Sequence, residues 1–294
     1  MRLIGTVFAL SSQTEHPTTQ KFIILTADRV MLPRVDLIRT EAESWLLMQS
    51  PDWISNSIKK NGNWAPNESN LCKVFTADMA NPVVIDVGAN IGGFAIPVAK
   101  ALMDSLGKVY CFEPQRIIFQ QLCANSFLNR LDNVFAYNVA LGENNGRLDI
   151  LELDFSKSQN CGGFSIDPMI RKEVAAEFTN ISSGASNAVE LRTLDSFELF
   201  ENLAFIKADI EGTELEFFKG ATETLYHNNY PPILFEQWEN KDWYEEKADE
   251  TKNFLIEIGY DLQRLNGEIL AQHQKYRKRF NILRDGNRLT LERV

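Results

Sequence analysis

Several apolar runs in this sequence end in an acidic or glycine-rich turn, and those endings are where chemistry is available. Val83-Val84-Ile85-Asp86-Val87 leads into Gly88-Ala89-Asn90-Ile91-Gly92-Gly93. Val109-Tyr110-Cys111-Phe112 leads into Glu113-Pro114, and the run from Val134 passes Asn138, Val139 and Ala140. Ala204-Phe205-Ile206-Lys207-Ala208 leads into Asp209-Ile210-Glu211-Gly212, and Ile233-Leu234-Phe235 into Glu236. If these runs are parallel strands, their carboxyl ends line one crevice, where open α/β sheets bind ligands.

The first turn excludes one ligand and admits another. Gly88 lets the backbone turn off the strand and lets the next amides approach a ligand closely. The glycines fall at Gly88, Gly92 and Gly93, which is not the G-x-G-x-x-G spacing of a dinucleotide site. Asp86 stands two residues before Gly88; so close a carboxylate would repel a pyrophosphate and suits a cationic group such as an α-amine. Glu113 follows Gly88 by 25 residues, near the offset at which an acidic side chain accepts ribose hydroxyls. An adenosine bearing an amino-acid tail satisfies both carboxylates, and S-adenosylmethionine is such a ligand. A nicotinamide-dependent oxidoreductase, the first rival, conflicts with the glycine spacing.

Asp209, Glu211 and Glu236 form the second group, at the ends of adjacent strands. Crowded carboxylates raise a pKa or bind a cation. One reading is a general base that takes the proton of a hydroxyl acceptor. Another is a divalent ion held by oxygens, which would acidify that hydroxyl directly. A third is that Glu211 and Glu214 complement a helix dipole. Asp209 is taken as the central active-site carboxylate with Glu211 or Glu236 beside it, the identity of the base is left open, no residue is assigned as a metal ligand, and Lys207 is expected to pair with one of the acids.

The elements that position these groups alternate between strand and helix. Helices are expected after the glycine turn to about Leu106, over residues 115–130 with Ile118, Leu122, Phe127 and Leu128 inward, from Glu214 to Tyr226, and from Glu246 to Ile258 before Gly259. Tyr260 to Leu265 and Phe280 to Leu283 are expected to close the sheet. Alternation of this kind implies a parallel sheet with right-handed crossovers. Residues 142–193 break the rhythm with an alternating strand, Gly146 to Leu153, and a helix near Met169 to Phe178, an excursion expected over the active face.

Residues 1–80 read as a mixed appendage, a lid or an assembly element, and 81–294 as the catalytic domain. The first ten residues faintly resemble a signal peptide and are read instead as a strand. Phe22 to Thr26 and Val30 to Ile38 are expected to pair, with Pro33 marking an edge. Ser50 is expected to cap a helix with Pro51 in its first turn, and a second helix is expected from Asn70 to Met79.

The four ordered motifs resemble those of the FkbM-type methyltransferases: Val84 to Gly92, Phe112-Glu113-Pro114, Ile206 to Glu214 with Gly220-Ala221, and Ile233 to Glu236. The resemblance covers roughly residues 60–285. It implies a Rossmann-like class I methyltransferase fold: a mostly parallel seven-stranded sheet, helices on both faces and an antiparallel last strand. It also implies methyl transfer from S-adenosylmethionine, releasing S-adenosylhomocysteine, to a hydroxyl of a sugar, glycan or natural product. By position, Asp86, Gly88, Ala89, Asn90 and Gly92 would take the methionine tail, and Glu113 with Pro114 the ribose. Asn138 and Ala140 would meet the adenine edge, and Asp209 would lie where the methyl group points. Two positions depart from the pattern: Phe94-Ala95 stands where a hydroxyl residue often follows the glycine loop, and Ala65 where an acid often follows Trp64. A catalytically silent methyltransferase-like scaffold is the alternative.

Composition narrows the partners. The 294 residues carry 40 acidic and 30 basic side chains, a formal charge of −10, which disfavours broad nucleic-acid binding. Cys72, Cys111, Cys123 and Cys161 are too scattered for a zinc site, and three of them read as buried thiols of a reduced, cytoplasmic protein. The expected partner is a small-molecule or glycan acceptor, without nucleic acid or membrane, and a homodimer is left open. His16, His227 and His273 read as surface residues. The basic run Lys275 to Arg279 reads as a solvated approach to a strand or as a contact for an acidic substrate group. Trp238 and Trp243 read as a cleft wall or a stacking surface for the acceptor.

Overall fold

The computed structural model describes residues 32–158, 160–174, 182–238, 241–265, 267–285 and 288–294. The chain divides into Met1–Met31 and Leu32–Val294, and all described residues belong to the second unit. The strands expected at residues 1–10 and Phe22 to Thr26, and His16, lie outside the described residues.

In chain order the elements are a hairpin, β1 (Val35–Arg39) and β2 (Ser44–Met48), then helices α1 (Trp53–Asn61) and α2 (Pro66–Thr76). There follow β3 (Val83–Val87), α3 (Ala95–Leu102), β4 (Lys108–Phe112), α4 (Arg116–Leu128), β5 (Val134–Tyr137) and β6 (Val139–Leu141). Next come β7 (Gly146–Leu153), α5 (Pro168–Val174), β8 (Ser182–Arg192) and a 3-10 turn (Leu194–Phe197). The chain continues through β9 (Leu203–Ala208), α6 (Glu214–Lys219), α7 (Thr222–His227), β10 (Ile233–Glu236) and α8 (Glu245–Glu257). It ends with β11 (Tyr260–Leu265), β12 (Glu268–His273), β13 (Phe280–Asp285) and β14 (Arg288–Arg293).

The seven-stranded sheet runs β11-β12-β10-β9-β3-β4-β5, with β12 antiparallel to both neighbours and the other pairs parallel. This is the Rossmann-like class I arrangement. Its strands are apolar on both sides because both faces are covered. Val84, Phe205, Leu234 and Leu270 pack on one face with residues of β2 and α1 to α4, including Trp45, Ile58, Phe75 and Ile96. Ile85, Ile206, Phe235 and Ile269 pack on the other with Phe217, Phe218, Leu225 and Leu255 of α6 to α8. The hairpin and helices over 35–76 therefore share a core with the central strands.

Six expectations change. The strand expected over Val134 to Val139 ends at Tyr137, because the Asn138 amide donates to Glu113 O (2.8 Å) and Pro114 O (3.0 Å) and turns the chain. β6 then joins β8 and β7 in a separate three-stranded sheet. The helix expected from Glu214 to Tyr226 is two helices. Gly220 sits so close to Gly142 that a Cβ would fall 2.0 Å from the Gly142 oxygen, and the Asp195 carboxylate caps the second helix at Thr224 N (2.8 Å). The sheet is closed by β12, not by Phe280 to Leu283, which pairs with β14. The Gln272 side chain takes both the N–H and the C=O of Phe280, so that backbone is satisfied without the sheet. Phe127 is 86% exposed, because α4 turns Gln121 and Asn125 inward to the Leu46 backbone of β2. Finally, Asp52, not Ser50, caps α1, accepting from Ser55 N at 2.9 Å, and α2 starts earlier than expected, at Pro66.

Candidate functional site

A cleft of about 490 Å³ opens at the carboxyl ends of the central strands. Among the expected site residues, Gly88, Asn90, Glu113, Pro114, Ala140, Asp209 and Glu211 line it. Asp86, Ala89, Gly92, Asn138 and Glu236 do not line this cleft. Asp86 and Ala89 are buried beside it, and Asn138 holds the Glu113-Pro114 carbonyls.

The glycine turn is built by backbone. Gly88 N and Ala89 N both donate to Phe112 O, at 2.9 and 3.1 Å, tying the turn to the end of β4. Gly88 has φ 78, and a Cβ there would lie 1.9 Å from the Asp209 oxygen, so the β3 and β9 ends pass in contact. Asn90 has φ 50, and its side chain accepts from Ile91 N at 2.8 Å, a local bond that supports this conformation. Its own N–H donates to Glu113 Oε2 at 3.0 Å. Gln115 N donates to Glu113 Oε1 at 2.8 Å. Both carboxylate oxygens are thus held in place, and burial pushes the Glu113 carboxyl up to about 7 against those two bonds.

The excursion supplies a wall. Gly162, Phe164 and Ile166 line the cleft with Phe112, Val139 and Leu141, giving a largely apolar slot for a flat ring. It is anchored twice: Gln115 Nε2 donates to Cys161 O at 2.9 Å, and Cys161 N donates to the Asp52 carboxylate at 3.1 Å. Asp52 therefore caps α1 and holds the wall at once. Gln115, Phe164 and Ile166 were not singled out from sequence, because no local pattern brings a loop from a side excursion back over a strand end.

Where Asp209 and Glu211 line the cleft it carries charge, and Glu236 lies beside them. The carboxylates of Asp209, Glu211 and Glu236 each offer an oxygen, all within 4.8 Å of one another. Asp209 follows β9 and Glu236 ends β10, while Glu211 is turned toward them by a backbone with φ 55. Lys207 Nζ donates to Asp209 Oδ2 at 2.9 Å, as expected. Burial works against the Lys207 ammonium, but Asp209, Asp86 and Glu268 hold it above its usual value. Burial, then Glu236, pushes the Glu211 carboxyl well above the usual range; burial, then Asp209, does the same to Glu236. Burial also raises Glu268, the Cα partner of Glu236, to about 8 and Asp86 to about 6. Both oxygens of Asp86, and Oε2 of Glu236, are sealed from solvent with no hydrogen-bond partner.

Glu214 belongs to neither end. It accepts from Ile210 N and Gly212 N, both at 3.3 Å, and from the Tyr244 hydroxyl at 3.3 Å, so it braces the turn that carries Glu211. Trp238 stands 5.6 Å from Trp243 and 5.0 Å from Tyr244, ring to ring, and its ring also lies beside Gly212.

The remaining candidates are structural. His273 is buried rather than exposed: it bonds the Ile258 carbonyl at 3.0 Å, accepts from Lys275 N and stacks on Tyr230. In the basic run, Tyr276 donates to Leu203 O, Lys278 to Ala77 O and Arg279 to Asp261, so these three are used within the fold. Ala65 caps α2 with no side-chain bond, the place where an acid was expected from the resemblance. Among the described residues, no helix is long and apolar enough to cross a membrane. All four cysteines are free thiols, three of them buried.

Residues 86–262 match the methyltransferase FkbM domain. Hexuronic acid methyltransferase AglP of Haloferax volcanii is 28% identical over 153 residues, which are 50% of this chain and 53% of that protein. Methyltransferase sdnD of Sordaria araneosa is 27% identical over 186 residues, 54% of this chain and 68% of that protein. The chain thus spans about half the length of the first of these relatives. Among solved structures, a methyltransferase FkbM from Methylobacillus flagellatus is 18% identical with a TM-score of 0.43, covering 67% of this chain and 45% of that one. Cofactor-bound Rv0187 from MTB is 14% identical with a TM-score of 0.45, covering 85% and 86%.

Proposed function

The chain belongs to the methyltransferase FkbM family, and we propose that it transfers a methyl group from S-adenosylmethionine to a hydroxyl oxygen of a sugar, glycan or natural-product acceptor. The observation that carries the reading is the Glu113 carboxylate, buried at the cleft and aimed by the Asn90 and Gln115 amides. A carboxylate fixed in that way accepts two vicinal hydroxyls well, which is what a ribose offers.

The residues present fit the cofactor. Glu113 would hold the ribose hydroxyls, and the slot of Phe112, Val139, Leu141 and Phe164 would hold the adenine. The turn around Asn90 and the negative field of Asp86 would hold the amino-acid tail. When bound, S-adenosylmethionine supplies an electrophilic methyl group on sulfur. The chain's own task is then to bring the acceptor oxygen in line, exclude water and take the hydroxyl proton. Glu211 and Glu236 suit that last step, because burial and mutual repulsion raise their proton affinity toward the working range of a base. Trp238 and Trp243 suit the apolar face of a sugar or polycyclic acceptor. The name of one relative, a hexuronic acid methyltransferase, supports a sugar acceptor.

The test is isothermal titration of the protein with S-adenosylmethionine and S-adenosylhomocysteine, repeated on Glu113→Ala. Both ligands should bind, and the variant should bind more weakly. No binding to the wild type would leave a scaffold with the fold of an enzyme. Full turnover by Asp209→Asn would remove Asp209 from the reaction.

A further inference from the structure

We propose that Asp209, Glu211 and Glu236 together bind one divalent, oxygen-preferring cation of the magnesium or manganese class. The proposed role of that ion rests on the methyl-transfer reading; its binding does not.

Geometry is the first support. Three carboxylate oxygens lie within 4.8 Å of one another, brought together from the ends of two adjacent strands and one turn. Ligand oxygens around a magnesium or manganese ion sit about 3–4 Å apart, so a small side-chain closure would complete the set. The donors are all carboxylates, hard oxygen ligands that suit magnesium, calcium or manganese over zinc or copper.

Charge is the second support. The three carboxylates carry −3, and the ammonium of Lys207, bonded to Asp209 at 2.9 Å, returns +1. A net negative charge remains, to which the buried Asp86 adds, and a divalent ion would offset it.

Unmet bonding is the third and independent support. Glu236 Oε2 is shut away from solvent with no partner. Asp86 is 1% exposed, and neither of its oxygens has a partner. It is the Cα partner of Lys207 across the β3–β9 pair, so it projects on the same sheet face and looks onto the Lys207–Asp209 pair. Asp86 is not offered as a ligand. It is a second buried anion drawing on the same lysine, which leaves Asp209 under-neutralised. Buried carboxylates without partners are costly, and a cation relieves that cost without requiring protons.

Three protein ligands leave about three positions of an octahedral ion open. One of them suits the acceptor hydroxyl, whose O–H bond the ion would weaken; with the ion bound, Glu211 and Glu236 are its ligands in place of bases, so the proton would pass to water and the electron pair stay on oxygen.

The experiment uses the full chain, stripped with EDTA and without cofactor. Manganese(II) is titrated in while free Mn(II) is followed by electron paramagnetic resonance. One ion per chain should bind, and Glu236→Gln and Glu211→Gln should each weaken it at least about tenfold. Glu257→Gln, the control, should bind Mn(II) within about twofold of wild type, because Glu257 is an exposed acid at the end of α8 and lies outside the trio. Mn(II) should also raise the melting temperature of the wild type, a readout that survives if a variant fails to fold. No saturable binding to the wild type, or wild-type binding in both trio variants, overturns the site. Titration with S-adenosylmethionine on the same samples separates the two claims. Mn(II) binding without cofactor binding sinks the methyl-transfer reading alone, and the reverse sinks the cation site alone.

Discussion

The two ends of the cleft treat their carboxylates differently. At the Glu113 end, each oxygen of Glu113 accepts a backbone N–H, and Asn138 fixes the carbonyls beside it. At the Asp209 end, the acids face one another, Lys207 satisfies one oxygen of Asp209, and Glu236 Oε2 has no partner. A site shaped by backbone is rigid before its ligand arrives, because those amides have nowhere else to point. A site made of crowded acids is incomplete until protons, a cation or a substrate balance it. The first pattern suits a cofactor of constant shape, and the second suits a step in which charge changes.

The strongest way to break the contrast is at the contact between the ends. Gly88→Ala would drive a Cβ to 1.9 Å from the Asp209 oxygen at a backbone φ of 78. It should abolish cofactor binding in calorimetry and lower stability by about 3 kcal/mol or more, from steric displacement plus a disfavoured φ. If the variant binds the cofactor normally, the close-packed turn is not what shapes the site.

Glu113 tests the rigid end through pH. Its folded pKa of about 7 lies above the usual 4.5, so the folded state holds its proton more tightly than the unfolded chain. Stability without cofactor should therefore be greatest below pH 4.5 as far as this group is concerned, and fall as pH rises toward 7. The whole effect is on the order of 3 kcal/mol. Glu113→Gln should remove that component from the pH dependence of urea unfolding, and an unchanged slope would show that burial there is not costly.

A smaller effect is expected from Glu113→Ala on the cofactor itself. Losing two charge-assisted hydrogen bonds should cost about 2 kcal/mol, or roughly thirtyfold in affinity. Manganese affinity should move by less than cofactor affinity does, because the three carboxylates of the other group are left in place. Coupled losses in both titrations would show that the two ends are one unit.

The smallest effect belongs to the brace. Tyr244→Phe removes a 3.3 Å bond to Glu214 while leaving the ring in place. It should lower stability by about 1 kcal/mol or less and change cofactor affinity by less than about threefold. A larger loss of turnover than of affinity would show that the turn holding Glu211 needs that hydroxyl.

Much of this was legible in the chain. The buried strands read as continuous apolar runs because helices cover both faces, and Asp86, Glu113, Asp209 and Glu236 stand at or near their carboxyl ends as local pattern demands. β12 was not legible: Glu268 to His273 holds only Ile269, Leu270 and Ala271 as an apolar stretch, between polar ends. Its strand conformation comes from the slot between β10 and β11, which no local signal announces. Phe127 misled for a related reason. Helical periodicity weighs apolarity, whereas Gln121 and Asn125 went inward because the β2 backbone needed partners.

By itself the sequence determined the alternation of the central parallel strands with helices, the glycine turn, and which acids lie at strand ends, since each follows from side-chain periodicity and backbone freedom over a few residues. Only the tertiary structure decided that Asp52 anchors the cleft wall and that Asn138 is spent on the Glu113 and Pro114 carbonyls. It alone brought Asp209, Glu211 and Glu236 within 4.8 Å with one lysine beside them. Those outcomes depend on strand register and on the path of distant loops, and it is distance through space, not along the chain, that sets how charges and hydrogen bonds are balanced.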